Sequence, residues 1–339
     1  MAARPAFQFS VLDLLIFSTV IAVVASFADG ALLVLLGWGV VFWAILWAWR
    51  WGVWYFRMSL ALRLVAPCFA RGRLWMLRLL CGRDWVVWGL SHHAAELMVA
   101  ERHDIAIPLL DEALRLNPNL PENWRNRGVS KWHVGDLQEA ESDLSRAIAL
   151  DPRIDDAQAL RGCLRTSLQN WSEAIQDLTS STPYPGGEGF CAHCRGVCYE
   201  SLENWSEAYD AYVEANQLNE SDFSAAYMVA RLQACCPDAS IRDGEKAVAN
   251  ALRVCVQTGW ENWATISVLA AAYAEVGDFE SAIRHAETAL ELTPEAEKAK
   301  VACVAEQFKR GVPYRIEPCE TWSAGRHGGD MVERAAPPE

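Results

Sequence analysis

Asn170, Trp171, Ser172, Glu173 and Ala174 return as Asn204, Trp205, Ser206, Glu207 and Ala208, 34 residues later. The same interval runs outward in both directions. Gly128, Gly162 and Gly196 form one series, with Ala94 an interval earlier. Ala106, Ala140, Ala174 and Ala208 form a second, and Leu110, Leu144, Leu178 and Tyr212 a third. A fixed period of this length means one supersecondary unit stacked on copies of itself. The chain is therefore a scaffold before it is anything else.

Within a unit the offsets describe two helices. Gly128 falls where two helices must come close, and Ala140 is a second close-contact point. Leu144 and Ala147 share one apolar face at helical spacing. Pro152 ends the second helix, because it has no N–H to continue the ladder. Ala113 and Pro118 repeat this one unit earlier. In this pattern the chain resembles the tetratricopeptide repeat (TPR) family, whose 34 residues form two antiparallel helices. Trp124, Gly128, Ala140, Leu144, Ala147 and Pro152 carry the match early. Leu269, Ala270, Tyr273, Gly277, Asp278, Phe279, Ala282, Ala289 and Pro294 carry it late. The expected fold is all-α, a helix-turn-helix solenoid of about six repeats over residues 87–296. Units open at Val87, Pro121, Asp155, Gly189, Phe223 and Trp263. The fifth carries six extra residues around Cys236, Pro237, Asp238 and Ala239, between its helices. A capping helix is expected over 297–310, as an array needs at its open end. Residues 311–339, rich in Gly, Pro, Arg and Glu, are expected to be a disordered tail.

Charge divides the chain. The formal net charge of the 339 residues is −13. Residues 1–83 carry eight basic and two acidic side chains, and the acidic excess lies beyond them. A basic apolar head on an acidic body suggests a membrane-facing segment joined to a soluble one. With only five lysines and no basic stripe, the acidic body argues against a nucleic-acid partner, and none is expected. Eleven cysteines without framework spacing read as reduced thiols.

Residues 11–28 and 31–49 are apolar runs separated by Asp29 and Gly30. At ~1.5 Å per residue each reaches roughly 27–28 Å, close to the ~30 Å hydrocarbon thickness. Residues 1–49 are expected to be a two-span transmembrane hairpin. Asp13 then lies at a helix start near water, in a capping pattern with Ser10. A cleaved signal ending at Ser26, Phe27 and Ala28 is the alternative. Residues 50–86 are expected to lie along the bilayer surface, with Arg50, Trp51, Trp54, Arg57 and Arg63 at the interface. The positive-inside bias puts the array and both termini on the cytoplasmic side of an integral membrane protein.

The resemblance to TPR proteins also implies where partners dock. The first helix of each unit lines a concave groove. The groove positions map to Arg125, Val129, Trp132 and His133, then to Phe190, His193, Val197 and Glu200, and then to Tyr227 and Arg231. A mixed aromatic, basic and apolar lining suits protein partners or an extended peptide. Of the residues that grip a C-terminal carboxylate in one TPR subclass, only Asn126 is matched. No phosphate-loop, nucleophile-elbow or zincin motif occurs, so no catalysis and no cofactor are expected.

Two rival readings stand beside this one. Cys191, Cys194 and Cys198 share one helical face at i, i+3 and i+7, which thiolate metals favour, and would make a Cys-based metal or redox protein. A fourth ligand is lacking, and buried cysteine is common between stacked helices. The other rival is a structural subunit that joins a larger membrane complex through its hairpin.

Overall fold

The computed structural model describes residues 82–154, 156–181, 186–219 and 223–316. The two expected spans, the surface segment up to residue 81 and most of the tail lie outside these residues. The chain divides into two compact units, Met1–Gly89 and Leu90–Glu339. Of the first, only residues 82–89 are described. There the rings of Trp85 and Trp88 meet edge-on with centroids 5.8 Å apart. No helix among the described residues is long and apolar enough to cross a membrane.

The fold is an all-α solenoid of thirteen helices, with no strand among the described residues. They are α1 (Arg83–Val99), α2 (His103–Leu116), α3 (Pro121–Val134), α4 (Leu137–Leu150), α5 (Ala157–Ser167), α6 (Trp171–Ser180) and α7 (Glu188–Ser201). Then come α8 (Trp205–Leu218), α9 (Phe223–Cys235), α10 (Gly244–Gln257), α11 (Trp263–Val276), α12 (Phe279–Leu292) and α13 (Glu295–Lys309). In chain order twelve of them form six successive units of a first and a second helix, and in the last five units the two helices pack directly on each other. The break between α9 and α10 covers residues 236–243 and is the longest within a hairpin.

Local chemistry explains the boundaries. Pro121 opens α3, where its fixed φ suits the first turn and its missing N–H is not needed. Asn262 accepts from the Ala264 N–H at 2.9 Å and Asp278 from the Ser281 N–H at 3.0 Å, capping α11 and α12. The turn inside a hairpin needs one left-handed residue, and the period supplies it at Glu101, Gly135, Gln169 and Glu203, with φ of 56°, 95°, 62° and 60°. Only one of those four is glycine.

The three periodic glycines are the contact points between first and second helices. A Cβ on Gly128 would sit 3.0 Å from Leu144 Cγ, on Gly162 2.7 Å from Leu178 Cγ, and on Gly196 2.6 Å from Tyr212 Cδ1. Each glycine thus receives the large residue sixteen positions later, which is why both series share one period. Ala106, Ala140, Ala174 and Ala208 are fully buried beside them.

A second periodic device is polar. Asp143 accepts a bidentate pair from Arg127 at 2.7 and 2.7 Å, and Asp177 one from Arg161 at 2.8 and 2.8 Å. Both carboxylates are buried. Arg127 also reaches back to Asp111 at 2.6 Å, and Arg161 to Ser145 at 3.1 Å. The clamp therefore ties the helices of one hairpin together and reaches into the hairpin before it. It stops in the fourth unit, where Ala211 takes the aspartate's place and Arg195 turns to Glu214.

Two stretches at the ends of the described residues are placed in detail, and the second bears on Pro313, Tyr314 and Arg315, which the sequence leads one to expect folded back on the last helix. Residues 83–86, assigned above to the surface segment, are already helical, because nothing breaks the helix between the left-handed Gly82 and Val99. Residues 312–316, assigned to the tail, are packed. The Ile316 N–H donates to the Cys235 carbonyl at 3.0 Å, and Arg315 pairs with Glu275 at 2.6 Å. Ile316 is buried in the same cluster as Leu232, Ala270 and Phe308. It supplies a donor to an end carbonyl of α9 that the helix cannot satisfy itself.

Candidate protein-binding face

First helices of neighbouring units touch directly: α3 with α5, α5 with α7, and α9 with α11. Side chains on this row therefore meet residues about one unit away. The ten expected groove positions fall on α3, α7 and α9, and the structure sorts them into groups.

The first group is apolar. Val129 is buried in a cluster with Leu144, Leu160, Cys163, Cys191 and Cys194, and Trp132 and Phe190 pack against it half-buried. Three positions chosen from two different units thus join one cluster through α5. Trp132 and Phe190 retain exposed surface, whereas Val129 is 6% exposed and supports them from below.

The second group is charged. The Tyr212 hydroxyl donates to Glu200 at 2.9 Å, and Glu200 also pairs with Arg231. Arg231 is 5% exposed, and its Nη1 has no hydrogen-bond partner among the described residues. Tyr227 lies one turn before Arg231 and is also buried; burial pushes its hydroxyl up to about 12, against the pull of Arg231. The His193 ring sits 5.4 Å from the Tyr212 ring, and Val197 packs on the neighbouring core. Arg125 is paired in the same fashion: its Nε donates to Asp156 at 2.8 Å, and its Nη2 also reaches that carboxylate. Both ion pairs join residues 31 apart, and Glu200–Arg231 ties α7 to α9 directly.

The third group is a histidine stack. His133 lies on His103 with centroids 3.9 Å apart and an interplanar angle of 10°. The Ser130 hydroxyl is 3.4 Å from His103 Nδ1. Desolvation, and then the facing His103, pull His133 down to about 4. His103 is also lowered by burial, against the pull of Glu101 and Asp104.

The cysteines are placed differently from the metal reading. Cys191, Cys194 and Cys198 are buried on α7, but no cluster among the described residues is arranged to hold a metal ion. Cys191 Sγ instead lies 3.8 Å from Cys163 Sγ on α5, and Cys198 Sγ 3.3 Å from the Thr166 hydroxyl. Sequence reading missed Cys163, His103 and Asp156 as partners of the chosen positions. It also missed the Arg–Asp clamps, although Arg127 and Arg161, and Asp143 and Asp177, each stand 34 apart.

Residues 95–165 match the family model of a tetratricopeptide repeat. No curated protein matches the chain. Among solved structures, pilF of Pseudomonas aeruginosa is 16% identical, with 66% of this chain and 99% of that one covered and a TM-score of 0.51. PilW, titled a type IV pilus biogenesis factor, is 13% identical, with 64% and 98% covered and a TM-score of 0.52. At such identities the likeness is one of fold: both share the stacked helical hairpins described above.

Proposed function

We propose that this chain is a membrane-anchored TPR scaffold that holds protein partners or extended peptides on the face made by its first helices. The observation that carries this reading is the apolar cluster that Trp132 and Phe190 share across three units. Large aromatics set on a buried floor are the usual anchors of a protein interface. The paired charges of Arg125 with Asp156 and of Glu200 with Arg231 fix the side chains of the groove and leave it without a strong net charge.

The anchor rests on the sequence. Residues 11–28 and 31–49 have the length and apolarity of two spans, and Arg50, Trp51, Trp54, Arg57 and Arg63 follow as an interfacial collar. On that reading the array faces the cytoplasm and its partners are recruited to the bilayer. The work of the molecule is binding, and fold likeness alone names no ligand.

The test is partner capture from crosslinked membranes, with the full chain and with Trp132→Ala combined with Phe190→Ala. Helicity is checked in parallel by circular dichroism. The reading expects the chain to stay in the membrane pellet after alkaline carbonate washing, and the double variant to lose its partners while staying helical. Undiminished capture by a folded double variant would remove the groove, and release by carbonate would remove the anchor.

A further inference from the structure

Cys163 and Cys191 stand on neighbouring first helices, α5 and α7, with sulfurs 3.8 Å apart and both side chains buried. They are 28 residues apart in sequence and belong to different hairpins. At that separation the sulfurs are in van der Waals contact, and a bond requires them to close by about 1.8 Å. We infer that Cys163 and Cys191 form a reversible disulfide when the protein meets a small two-electron oxidant such as hydrogen peroxide, stapling the third unit to the fourth.

The two thiols are not equivalent. Cys191 lies in the first turns of α7, where the helix N-terminus favours negative charge, and Arg195 stands one turn on. The hydrogen bond with Cys163 and the charge of Arg195 lower Cys191, against burial, Glu188 and Asp156, whereas burial raises Cys163. Cys191 is therefore the attacking sulfur and Cys163 the resolving one. The Cys191 thiolate takes one oxygen from the peroxide to become a sulfenic acid, and hydroxide leaves. The Cys163 sulfur then attacks the Cys191 sulfur. The S–S bond forms, the S–O bond breaks, and the thiol proton leaves with the hydroxyl as water. In total two thiols lose two electrons and two protons, and one peroxide becomes two waters. A neutral oxidant of this size suits sulfurs that a bulkier disulfide reagent reaches poorly. The third candidate, Cys194, lies one turn along α7. The consequence is mechanical: Trp132 and Phe190 pack on the same cluster, so the staple fixes the middle of the proposed face.

The experiment is a peroxide titration of the full chain, followed by alkylation, non-reducing trypsin digestion and mass spectrometry. The expected product is the peptide of residues 162–165 joined to that of residues 166–195, with fragmentation placing the link at Cys191. It should disappear on reduction, be absent in Cys163→Ser and in Cys191→Ser, and persist in Cys194→Ser. Oxidation should also raise the thermal midpoint of the wild type and leave that of Cys163→Ser unmoved. The inference falls if Cys163 and Cys191 both remain alkylatable at a dose that fully oxidises the exposed Cys303. It falls equally if the link runs through Cys194.

Discussion

Single residues show where the repeat is comfortable and where it is strained. Gln169 and Glu203 hold the left-handed conformation that Gly135 and Gly277 adopt without cost. A side chain there costs roughly 1–2 kcal/mol, part of which glycine returns as unfolded-chain entropy. Gln169→Gly should therefore stabilise the chain by about 0.5–1 kcal/mol, read as a higher urea midpoint with an unchanged slope. Gly196→Ala should act oppositely. Its Cβ would lie 2.6 Å from a Tyr212 ring that is fully buried and tethered to Glu200, a clash of about 2–3 kcal/mol. The glycines were legible in sequence because a missing side chain repeats visibly. The strained turn residues were not, because Glu, Gly, Gln and Glu share a backbone angle and no side-chain chemistry. The histidine stack gives a pH dependence. Both rings lie below their ordinary 6.5, and His133 lies at about 4. Above pH 6.5 both are neutral folded and unfolded, so the contribution of the stack is complete. As pH falls from 6.5 towards 4 the unfolded chain takes up protons that the folded chain refuses, and stability drops. His133→Asn should flatten the fall in thermal midpoint between pH 6.5 and 5, relative to wild type.

At the scale of helices, pairing was legible and its polar part was not. The 34-residue period fixes which helix meets which, because Gly128, Gly162 and Gly196 must face Leu144, Leu178 and Tyr212. Arginine and aspartate were overlooked since charged residues on a helix are normally taken for a solvated face. Here Asp177 is 3% exposed and holds both Arg161 and Arg165. Removing it leaves the Arg161 guanidinium with Ser145 but no carboxylate, while Arg165 keeps Glu141, so Asp177→Ala should cost about 3 kcal/mol. Glu280→Ala, which breaks an exposed pair with Arg284, should cost less than about 0.5 kcal/mol. Chemical denaturation of the two variants side by side checks the contrast. The groove positions were taken from helix offsets alone, which give direction but not depth. That is why Val129, Tyr227 and Arg231 were chosen with Trp132 and Phe190, although the first three are at most 6% exposed. Each of the three is covered by a helix or side chain from a neighbouring unit, which an offset within one helix does not encode.

Over the whole molecule, a row of units that touch only their neighbours stores and loses stability locally. The docked residues 312–316 offer a direct check. Arg315→Ala with Ile316→Ala removes the pair to Glu275 and the buried side chain beside Leu232. Amide hydrogen exchange should then quicken in α9 and α11 and stay unchanged in α3 and α4. Acceleration along the entire row would mean one cooperative globule instead of a stack. The same linear build makes a long face available to another protein, and that face is the centre of the account. The most direct measurement is site-specific photo-crosslinking in intact membranes, with the reactive residue placed at Trp132 or Phe190 on the first helices, or at Ser142 or Asp210 on the exposed surface of the second helices. The account predicts adducts to the same partner from Trp132 and Phe190 and none from Ser142 and Asp210. Adducts confined to Ser142 and Asp210 would contradict it.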